Sequence, residues 1–217
     1  MNGGYVMLSV NISKKLKNFS IHAAFDIDEE IVVLFGPSGA GKTSLLNCIA
    51  GLTHPNKGEI TLNSRQLFHS GHKPMPIQKR NIGYLFQDFA LFPHMTVKRN
   101  IAYGMKDELL VQQLIKVTGM EHLLDSYPHQ ISGGEKQRLA LIRALATEPE
   151  ALLLDEPFSS LDEKTRVACQ DELLRLHAMW KIPVIMVTHN YKEAEKLGSR
   201  ILKVEKGQVV EEISNTK

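Results

Sequence analysis

The chain has 217 residues, enough for one large domain or a domain with a subdomain. Its 26 basic and 24 acidic residues give a formal net charge of +2, so it lacks the basic surface expected of a nucleic-acid-binding protein. No apolar stretch approaches the roughly 20 residues that cross a bilayer, and the first residues do not have the layout of a signal peptide, so we expect any membrane connection to run through a partner.

Two segments with alternating apolar residues open the chain. The apolar positions are Val6, Leu8, Val10 and Ile12 in the first segment, and Ile21, Ala23, Phe25 and Ile27 in the second. A period of two indicates a strand with one buried face, and the basic residues 14 to 17 between the segments are typical of a turn. The sequence therefore predicts an antiparallel pair of strands at the N-terminus.

The apolar run Ile31 to Phe35 leads directly into the pattern G-x-x-x-x-G-K-[ST] at residues 36 to 43, followed by an amphipathic segment that ends at Gly51. This order of strand, loop and helix is the context of a phosphate-binding loop, in which backbone N–H groups and a helix dipole hold an anion. The alternative is a glycine-rich turn that happens to carry a lysine, and it does not explain the flanking elements. We expect Lys42 to hold the β and γ phosphates of a nucleotide and the Thr43 hydroxyl to ligate Mg²⁺. The predicted nucleotide-binding residues here are Gly36, Pro37, Ser38, Gly39, Ala40, Gly41, Lys42, Thr43 and Ser44.

The region from about Phe89 to Gln130 differs from the rest of the chain in composition. It is rich in helix formers and has apolar residues at helical spacing at Leu110, Leu114 and Val117. We interpret residues 89 to about 135 as a helical subdomain inserted into an α/β core. The two cysteines, Cys48 and Cys169, fall in predicted helices without a metal-ligand pattern, so we expect buried, reduced thiols in a cytosolic protein.

The segment 132 to 138 begins a second notable helix. Ser132 followed three residues later by Glu135 fits a capping box, which is a purely structural interpretation. The capping box does not explain Gly133 and Gly134, because glycine in a first turn lowers helix propensity. We expect their backbone N–H groups to face an anion.

The apolar run from Ala151 ends in two acids, Asp155 and Glu156. A strand that is covered on both faces has a continuous apolar sequence, which the run from Ala151 shows. Residues Pro183 to Val187 form a second such run. Since ligands of open α/β sheets bind at the carboxyl ends of the strands, Asp155 is expected in the Mg²⁺ shell and Glu156 as the base that orients water. A solvated strand terminus is the structural alternative. Residues 201 to 210 predict a terminal hairpin.

In order and spacing, these motifs resemble those of ATP-binding cassette (ABC) ATPases over essentially the whole chain. Residues 36 to 43 resemble the Walker A loop, residues 132 to 138 the signature motif, and residues 151 to 156 the Walker B strand. Three further residues are identified by their positions relative to these motifs: Gln87 resembles the Q-loop glutamine, Asp162 the D-loop aspartate and His189 the switch histidine. Taken alone, they would be a surface glutamine, a helix N-cap and a strand-end histidine.

The resemblance implies a single ABC ATPase domain over residues 1 to 217, of the P-loop NTPase type, with a mixed and largely parallel core sheet, an N-terminal antiparallel β subdomain and the inserted helical subdomain. It implies ATP and Mg²⁺ as cofactors. It also implies a head-to-tail homodimer that closes on ATP, in which Ser132 and Gly134 of one copy cover the γ-phosphate held by Lys42 of the other. Gly133, Glu135 and Asp162 belong to the same nucleotide contact.

The implied catalytic residues are Lys42, Gln87, Glu156 and His189. Glu156 activates water, and His189 holds Glu156 and the γ-phosphate in register. Gln87 is implied as a metal contact and as the link to the membrane partner. The chain departs from the family pattern in two places: Glu135 stands where glutamine is usual, and residues 14 to 19 contain no clear adenine-stacking aromatic, which leaves Phe19 and Leu16 as alternatives.

A cassette without fused membrane segments, together with the segment 88 to 97, resembles a bacterial importer subunit. Residues 35 to 52 and 83 to 105 look most like those of molybdate or related oxyanion importers. The implied partners are integral membrane permease subunits and, indirectly, a solute-binding protein, with the chain peripheral at the cytoplasmic face of the membrane. Importers of sulfate, iron or polyamine, and an ATP-dependent dimerisation switch outside transport, are the alternatives. Such subunits often continue into a C-terminal regulatory barrel, whereas this sequence stops at Lys217. It is either truncated or a short form, so regulation by bound substrate is not predicted.

Overall fold

The computed structural model describes residues 7–215, so Val6 of the first alternating segment lies outside the described residues. The strands are β1 (Leu8–Lys15), β2 (Ser20–Ile27), β3 (Ile31–Phe35), β4 (Lys57–Leu62), β5 (Arg65–His69), β6 (Ile82–Leu85), β7 (Ala151–Asp155), β8 (Val184–Thr188), β9 (Arg200–Glu205) and β10 (Gln208–Ser214). The α-helices are α1 (Lys42–Ala50), α2 (Val97–Ala102), α3 (Glu108–Val117), α4 (Gly133–Leu145), α5 (Glu163–Trp180) and α6 (Tyr191–Leu197). Short 3₁₀ turns occupy Ile77–Lys79, Glu121–Leu123 and Pro128–Gln130.

All ten strands form one mixed sheet in the order β5-β4-β1-β2-β10-β9-β3-β8-β7-β6. Strand β3 pairs in parallel with β8 on one side and β9 on the other, and β8, β7 and β6 continue the parallel half. The predicted N-terminal pair is present as β1 and β2 and is extended by β4 and β5, all antiparallel. The predicted terminal hairpin is β9 with β10, and it joins the two halves.

The parallel strands separate two hydrophobic cores. In β3, Ile31 and Val33 face one core while Val32 and Leu34 face the other, and all four are at most 1% exposed. This is why the runs are continuous rather than alternating: both faces of the strand are covered. Helix α1 covers one face and α4 packs on the other, so the carboxyl ends of β3, β7 and β8 are held in a fixed relation.

The residues between β6 and β7 contain α2, α3 and α4. The buried face of α3 differs from the predicted one, which was Leu110, Leu114 and Val117. Val111 and Leu114 are buried, at 4% and 1% exposure, whereas Val117 is 44% exposed. Thr118 takes the inward position instead, where its hydroxyl donates to the carbonyl oxygen of Leu114. Among the described residues, no helix has the length and apolar character that crossing a bilayer requires.

Candidate functional site

The loop at residues 36 to 41 begins at the carboxyl end of β3 and ends at the first residue of α1. Gly36 lies against β9 so closely that a Cβ there would overlap the carbonyl oxygen of Val204. Gly41 has φ of +99°, and its carbonyl accepts from Leu45 N at 2.9 Å to begin the helix. Both glycines are therefore required by the backbone path, which aims the N–H groups of the loop and the positive end of α1 at one space.

Lys42 is the charged group of this loop and is only 5% exposed. Its Nζ donates to the carbonyl oxygens of Gly36 at 2.7 Å and Pro37 at 2.8 Å. Burial lowers the pKa of Lys42, although the negative charges of Glu156 and Asp155 oppose the shift. The ammonium is thus held by the loop's own carbonyl oxygens, and Lys42 lines the cavity beside the loop.

Thr43 and Asp155 meet beside the loop, where the Thr43 hydroxyl donates to Asp155 Oδ1 at 3.2 Å. Asp155 ends β7 and is 3% exposed. Burial raises its pKa and the neighbouring Glu156 adds to this, while the Thr43 hydrogen bond and Lys42 act in the opposite direction. A hydroxyl and a carboxylate are hard oxygen donors that suit Mg²⁺, and the described residues hold no cluster of three or more His, Cys, Asp or Glu that would form a metal site from protein alone.

Glu156 and His189 form the second pair at the site, with His189 Nδ1 3.3 Å from Glu156 Oε1. Glu156 has φ of +48°, an uncommon conformation for a residue with a side chain, and its N–H donates to Val187 O at 3.0 Å. This backbone bond ties the end of β7 to β8. Because the two side chains come from the ends of adjacent parallel strands, the sheet itself sets their separation.

One cavity of about 340 Å³ extends from the predicted phosphate loop to Glu156. Its lining residues are Leu16, Lys17, Asn18, Phe19, Ser38, Gly39, Gly41, Lys42, Thr43, Ser44, Gln87, Glu156 and Val187. The segment from Leu16 to Phe19 forms part of the wall, so both alternatives for an adenine contact, Leu16 and Phe19, stand at the cavity. Phe19 is also partly buried against the core under the antiparallel sheet.

Gln87 follows β6 and reaches the same cavity. The two residues after Asp88, Phe89 and Ala90, have φ of +62° and +44°. Their carbonyl oxygens accept from the guanidinium of Arg143 at 2.9 Å and 2.8 Å. Arg143 lies in α4, so the loop that carries Gln87 is hydrogen-bonded to that helix.

The residues from Ser132 to Glu135 begin α4 with a complete capping box. Glu135 Oε2 accepts from Ser132 N at 2.7 Å and from Ser132 Oγ at 2.8 Å, and these bonds lower the pKa of Glu135. A Cβ on Gly134 would approach Thr165 Cγ2 at 3.0 Å, whereas a Cβ on Gly133 would find only Ser160 O at 3.7 Å. Close packing on α5 thus accounts for Gly134, while Gly133 faces open space.

Ser132, Gly133, Gly134, Glu135 and Asp162 do not line the cavity that holds Lys42, so within residues 7–215 the predicted site is divided in two. Asp162 caps α5 and accepts from Thr165 N at 3.1 Å, which is the structural role that the residue would have on its own. Its side chain also lies at the N-terminal end of the helix that packs on Gly134. The second group of residues therefore forms its own surface, made from the starts of α4 and α5.

Two buried polar residues stabilise the segments around the site and were not predicted from the sequence. Arg80 is fully buried, and its guanidinium donates to the carbonyl oxygens of Ile49 at 2.7 Å, Cys48 at 3.2 Å and Leu67 at 3.1 Å. Asn100, also fully buried, donates to Met95 O and two other carbonyls in the segment 92 to 96. Neither belongs to a recognisable motif: three of Arg80's partners lie 13 to 32 positions away, and Asn100 bonds the carbonyls of an irregular segment just before it.

Comparison with known families gives a match to the ABC transporter family over residues 22–159. The molybdate/tungstate import ATP-binding protein WtpC of Archaeoglobus fulgidus is 40% identical over 212 residues, covering 95% of this chain and 86% of that protein. A probable sulfate/thiosulfate import ATP-binding protein CysA of Chlorella vulgaris is 41% identical, covering 94% and 89% of the two chains. The molybdenum import ATP-binding protein ModC of Haemophilus influenzae is 42% identical over 94% of this chain, which spans 59% of its length.

Among solved structures, the dimeric post-hydrolysis state of the ATP-binding cassette MJ0796, bound to ADP and phosphate, superposes with a TM-score of 0.84 at 29% identity. The match covers 97% of this chain and all of that one. It confirms the predicted fold: a mixed sheet with an antiparallel N-terminal part, and helices placed between β6 and β7.

Proposed function

The chain belongs to the ABC transporter family and is an ATPase of that family, and from this premise we propose that it is the ATP-hydrolysing subunit of a membrane importer. The observation that carries the proposal is one cavity at the carboxyl ends of β3, β7 and β8 that Lys42, Thr43 and Glu156 line. Asp155 and His189 stand behind this lining, in contact with Thr43 and Glu156 respectively. A buried cation, hard oxygen donors and a carboxylate–imidazole pair are together the groups that phosphoryl transfer to water needs.

ATP binds with its phosphates at the loop of residues 36 to 44. The buried ammonium of Lys42 and the N–H groups at the start of α1 hold the β and γ phosphates. The side chains that fit Mg²⁺ are Thr43 and Asp155, with Gln87 at the edge of the same cavity. When bound there, Mg²⁺ would spread the negative charge of the phosphates.

Glu156 acts as the base that orients the attacking water and accepts its proton. His189, 3.3 Å away, fixes the direction of that carboxylate. The positive φ of Glu156 and its backbone bond to Val187 keep the carboxylate in place, so little reorganisation accompanies the reaction.

The cassette works as a head-to-tail dimer, because the surface formed by Ser132, Gly133 and the cap of α5 is separate from the cavity of the same chain. The capped start of α4 is a site for an anion once a second copy presents its nucleotide. The structural relative MJ0796 is dimeric in its state with ADP and phosphate, which supports this arrangement.

The solute is molybdate or a related oxyanion, the partners are permease subunits with a solute-binding protein, and the chain acts at the cytoplasmic face of the membrane. The names of the relatives WtpC and ModC support molybdate, and that of CysA keeps sulfate as the second candidate. Solute specificity would come from the partners. The single domain spans residues 1 to 217, with residues 89 to 135 as its helical subdomain.

The test is reconstitution of the chain with its co-purified permease in vesicles, with ATP on the cassette side. Uptake of radiolabelled molybdate, tungstate and sulfate is then compared with uptake by the same complex carrying Glu156→Gln. ATP-dependent molybdate uptake that the substitution abolishes supports the proposal. Uptake of sulfate alone would identify sulfate, and not molybdate, as the solute. Turnover of ATP without uptake of any of the three anions would contradict the proposal of an oxyanion importer.

A further inference from the structure

The turn that carries His189 is held by a network of buried side chains that the proposed function does not use. Thr188, the last residue of β8, is 3% exposed, and Glu193 in α6 is 7% exposed. The Thr188 hydroxyl donates to Glu193 Oε2 at 2.7 Å and accepts from the backbone N–H of Asn190 at 3.0 Å. Both hydrogen bonds span His189, because they join Thr188, which precedes it, to Asn190 and Glu193, which follow it.

His189 needs such support because its own side chain is 61% exposed and, among residues 7–215, its polar contact is with Glu156. An exposed ring with little packing takes its direction from its backbone. The backbone of residues 188 to 190 is fixed at both ends, since Thr188 pairs with Phe35 in the sheet and Asn190 caps α6 by accepting from Lys192 N at 3.0 Å. Tyr191 adds an edge-to-face contact with Phe35 at 5.6 Å between ring centres.

The Thr188–Glu193 bond is the part of this turn that capping of α6 does not explain. Asn190 already accepts from the N–H groups of Lys192 and Glu193, so the helix start is satisfied without the carboxylate. Burying a glutamate costs free energy unless it is hydrogen-bonded or paired. Here it receives the Thr188 hydroxyl and lies 4.0 Å from Arg166 Nε, on the helix that begins after Asp162.

We propose that Thr188 and Glu193 are positioning residues for His189: Glu193 orients the Thr188 hydroxyl, which fixes the turn and thereby the distance from the imidazole to Glu156. The proposal rests on the proposed function, because it assigns a role only if His189 assists hydrolysis. Neither residue touches the cavity that binds the phosphates. The effect of their loss should therefore fall on turnover and not on nucleotide affinity.

The experiment compares Thr188→Val, which replaces the hydroxyl with a methyl group of similar size, with Thr188→Ser, which keeps the hydroxyl and loses the methyl group. We expect Thr188→Val to lower the ATP turnover about tenfold or more at unchanged ATP affinity, as a slightly displaced catalytic group would. Thr188→Ser should recover most of the turnover. Glu193→Ala should behave like Thr188→Val, while Glu195→Ala, on the exposed side of the same helix, should leave turnover unchanged.

The decisive measurement is a double-mutant cycle with His189→Ala in single-turnover reactions. If Thr188 acts through His189, adding Thr188→Val to His189→Ala should have almost no further effect. Equal losses in both backgrounds, or wild-type turnover by Thr188→Val, would overturn the inference. Wild-type turnover by His189→Ala would instead count against the proposed function itself, so failure of the inference and failure of the proposed function give different results. ATP binding measured by calorimetry confirms that each variant is folded.

Discussion

The hydroxyl of Thr43 lies 3.2 Å from Asp155 Oδ1, which joins the first turn of α1 to the end of β7 across 112 positions of sequence. The bond brings an oxygen donor from the phosphate loop to a buried carboxylate whose pKa is raised by its burial. Keeping the buried carboxylate of Asp155 ionised lowers the stability of the fold. We therefore infer that Asp155 is retained for what it binds.

Asp155→Asn should therefore stabilise the chain and inactivate it. Because the folded pKa is raised, the ionised carboxylate is penalised at every pH above that raised value, and the penalty vanishes below the ordinary aspartate pKa of about 3.9. The substitution should raise the thermal midpoint at neutral pH, give no gain at about pH 3, and abolish Mg-dependent turnover. Calorimetric melting checks this, with the exposed Asp125→Asn as control; equal midpoints at neutral pH would contradict it.

Glu156→Gln should bind Mg-ATP and hydrolyse it very slowly, since the amide keeps the shape of the side chain but cannot take up a proton. The variant should accumulate as a dimer with ATP. Sedimentation velocity with and without ATP measures this. Glu148→Gln is a matched control, because Glu148 is exposed and shares the positive φ of Glu156, at +46° against +48°. A Glu156→Gln chain that stays monomeric at saturating ATP would argue against the shared site.

Gly133→Asp should fold and bind ATP as a monomer but lose turnover. The position has room for a side chain, so the new carboxylate acts through its charge on a partner's γ-phosphate and not through a clash. Gly133→Ala is the steric control and should retain most activity. Gly134 is a poorer probe, because any Cβ there presses on Thr165.

Mixing Gly133→Asp with Lys42→Ala extends this test. The mixed dimer has one complete site, made from the intact loop of one chain and the intact α4 start of the other. Partial recovery of hydrolysis in the mixture is expected. Turnover of Gly133→Asp alone at the wild-type rate would mean that this surface does not face the nucleotide.

Arg80→Met should lower the free energy of unfolding by about 3 kcal/mol or more, because buried carbonyl oxygens lose their donors at the C-terminal end of α1. Arg80→Lys should rescue little, since an ammonium cannot reach the carbonyls of Cys48, Ile49 and Leu67 with the geometry of a guanidinium. Urea unfolding followed by circular dichroism measures both. A loss below about 1 kcal/mol for Arg80→Met would show that the carbonyls find other partners.

The elements that sequence predicts well here are those whose local pattern agrees with their tertiary role. β3 and β7 are continuous apolar runs that are buried on both faces, and α1 ends where Gly51 predicts. The capping box of α4 needs only Ser132 and Glu135, three residues apart, so the sequence contains all of it.

The elements that the sequence does not predict depend on contacts with distant segments. β6 has four residues and includes Gly83, which weakens its strand propensity but allows α4 to approach, since a Cβ there would lie 3.0 Å from Ala144 O. The turn between β4 and β5 is made by Asn63 and Ser64, both with positive φ, without the usual glycine. The role of Arg80 likewise depends on distant residues, because its guanidinium bonds the carbonyls of Cys48, Ile49 and Leu67.

The two hydrogen bonds from Arg143 to the carbonyls of Phe89 and Ala90 connect the loop after Gln87 to helix α4, so the two form one linked body. At one end of this body stands Gln87, at the edge of the chain's own nucleotide cavity. At the other end stand Ser132 and Gly133, which in the proposed dimer would face the nucleotide of a second copy. In the proposed importer, a push by a permease subunit on the segment 88 to 92 would thus displace both ends at once, and one mechanical input would time hydrolysis in the two halves of the dimer together.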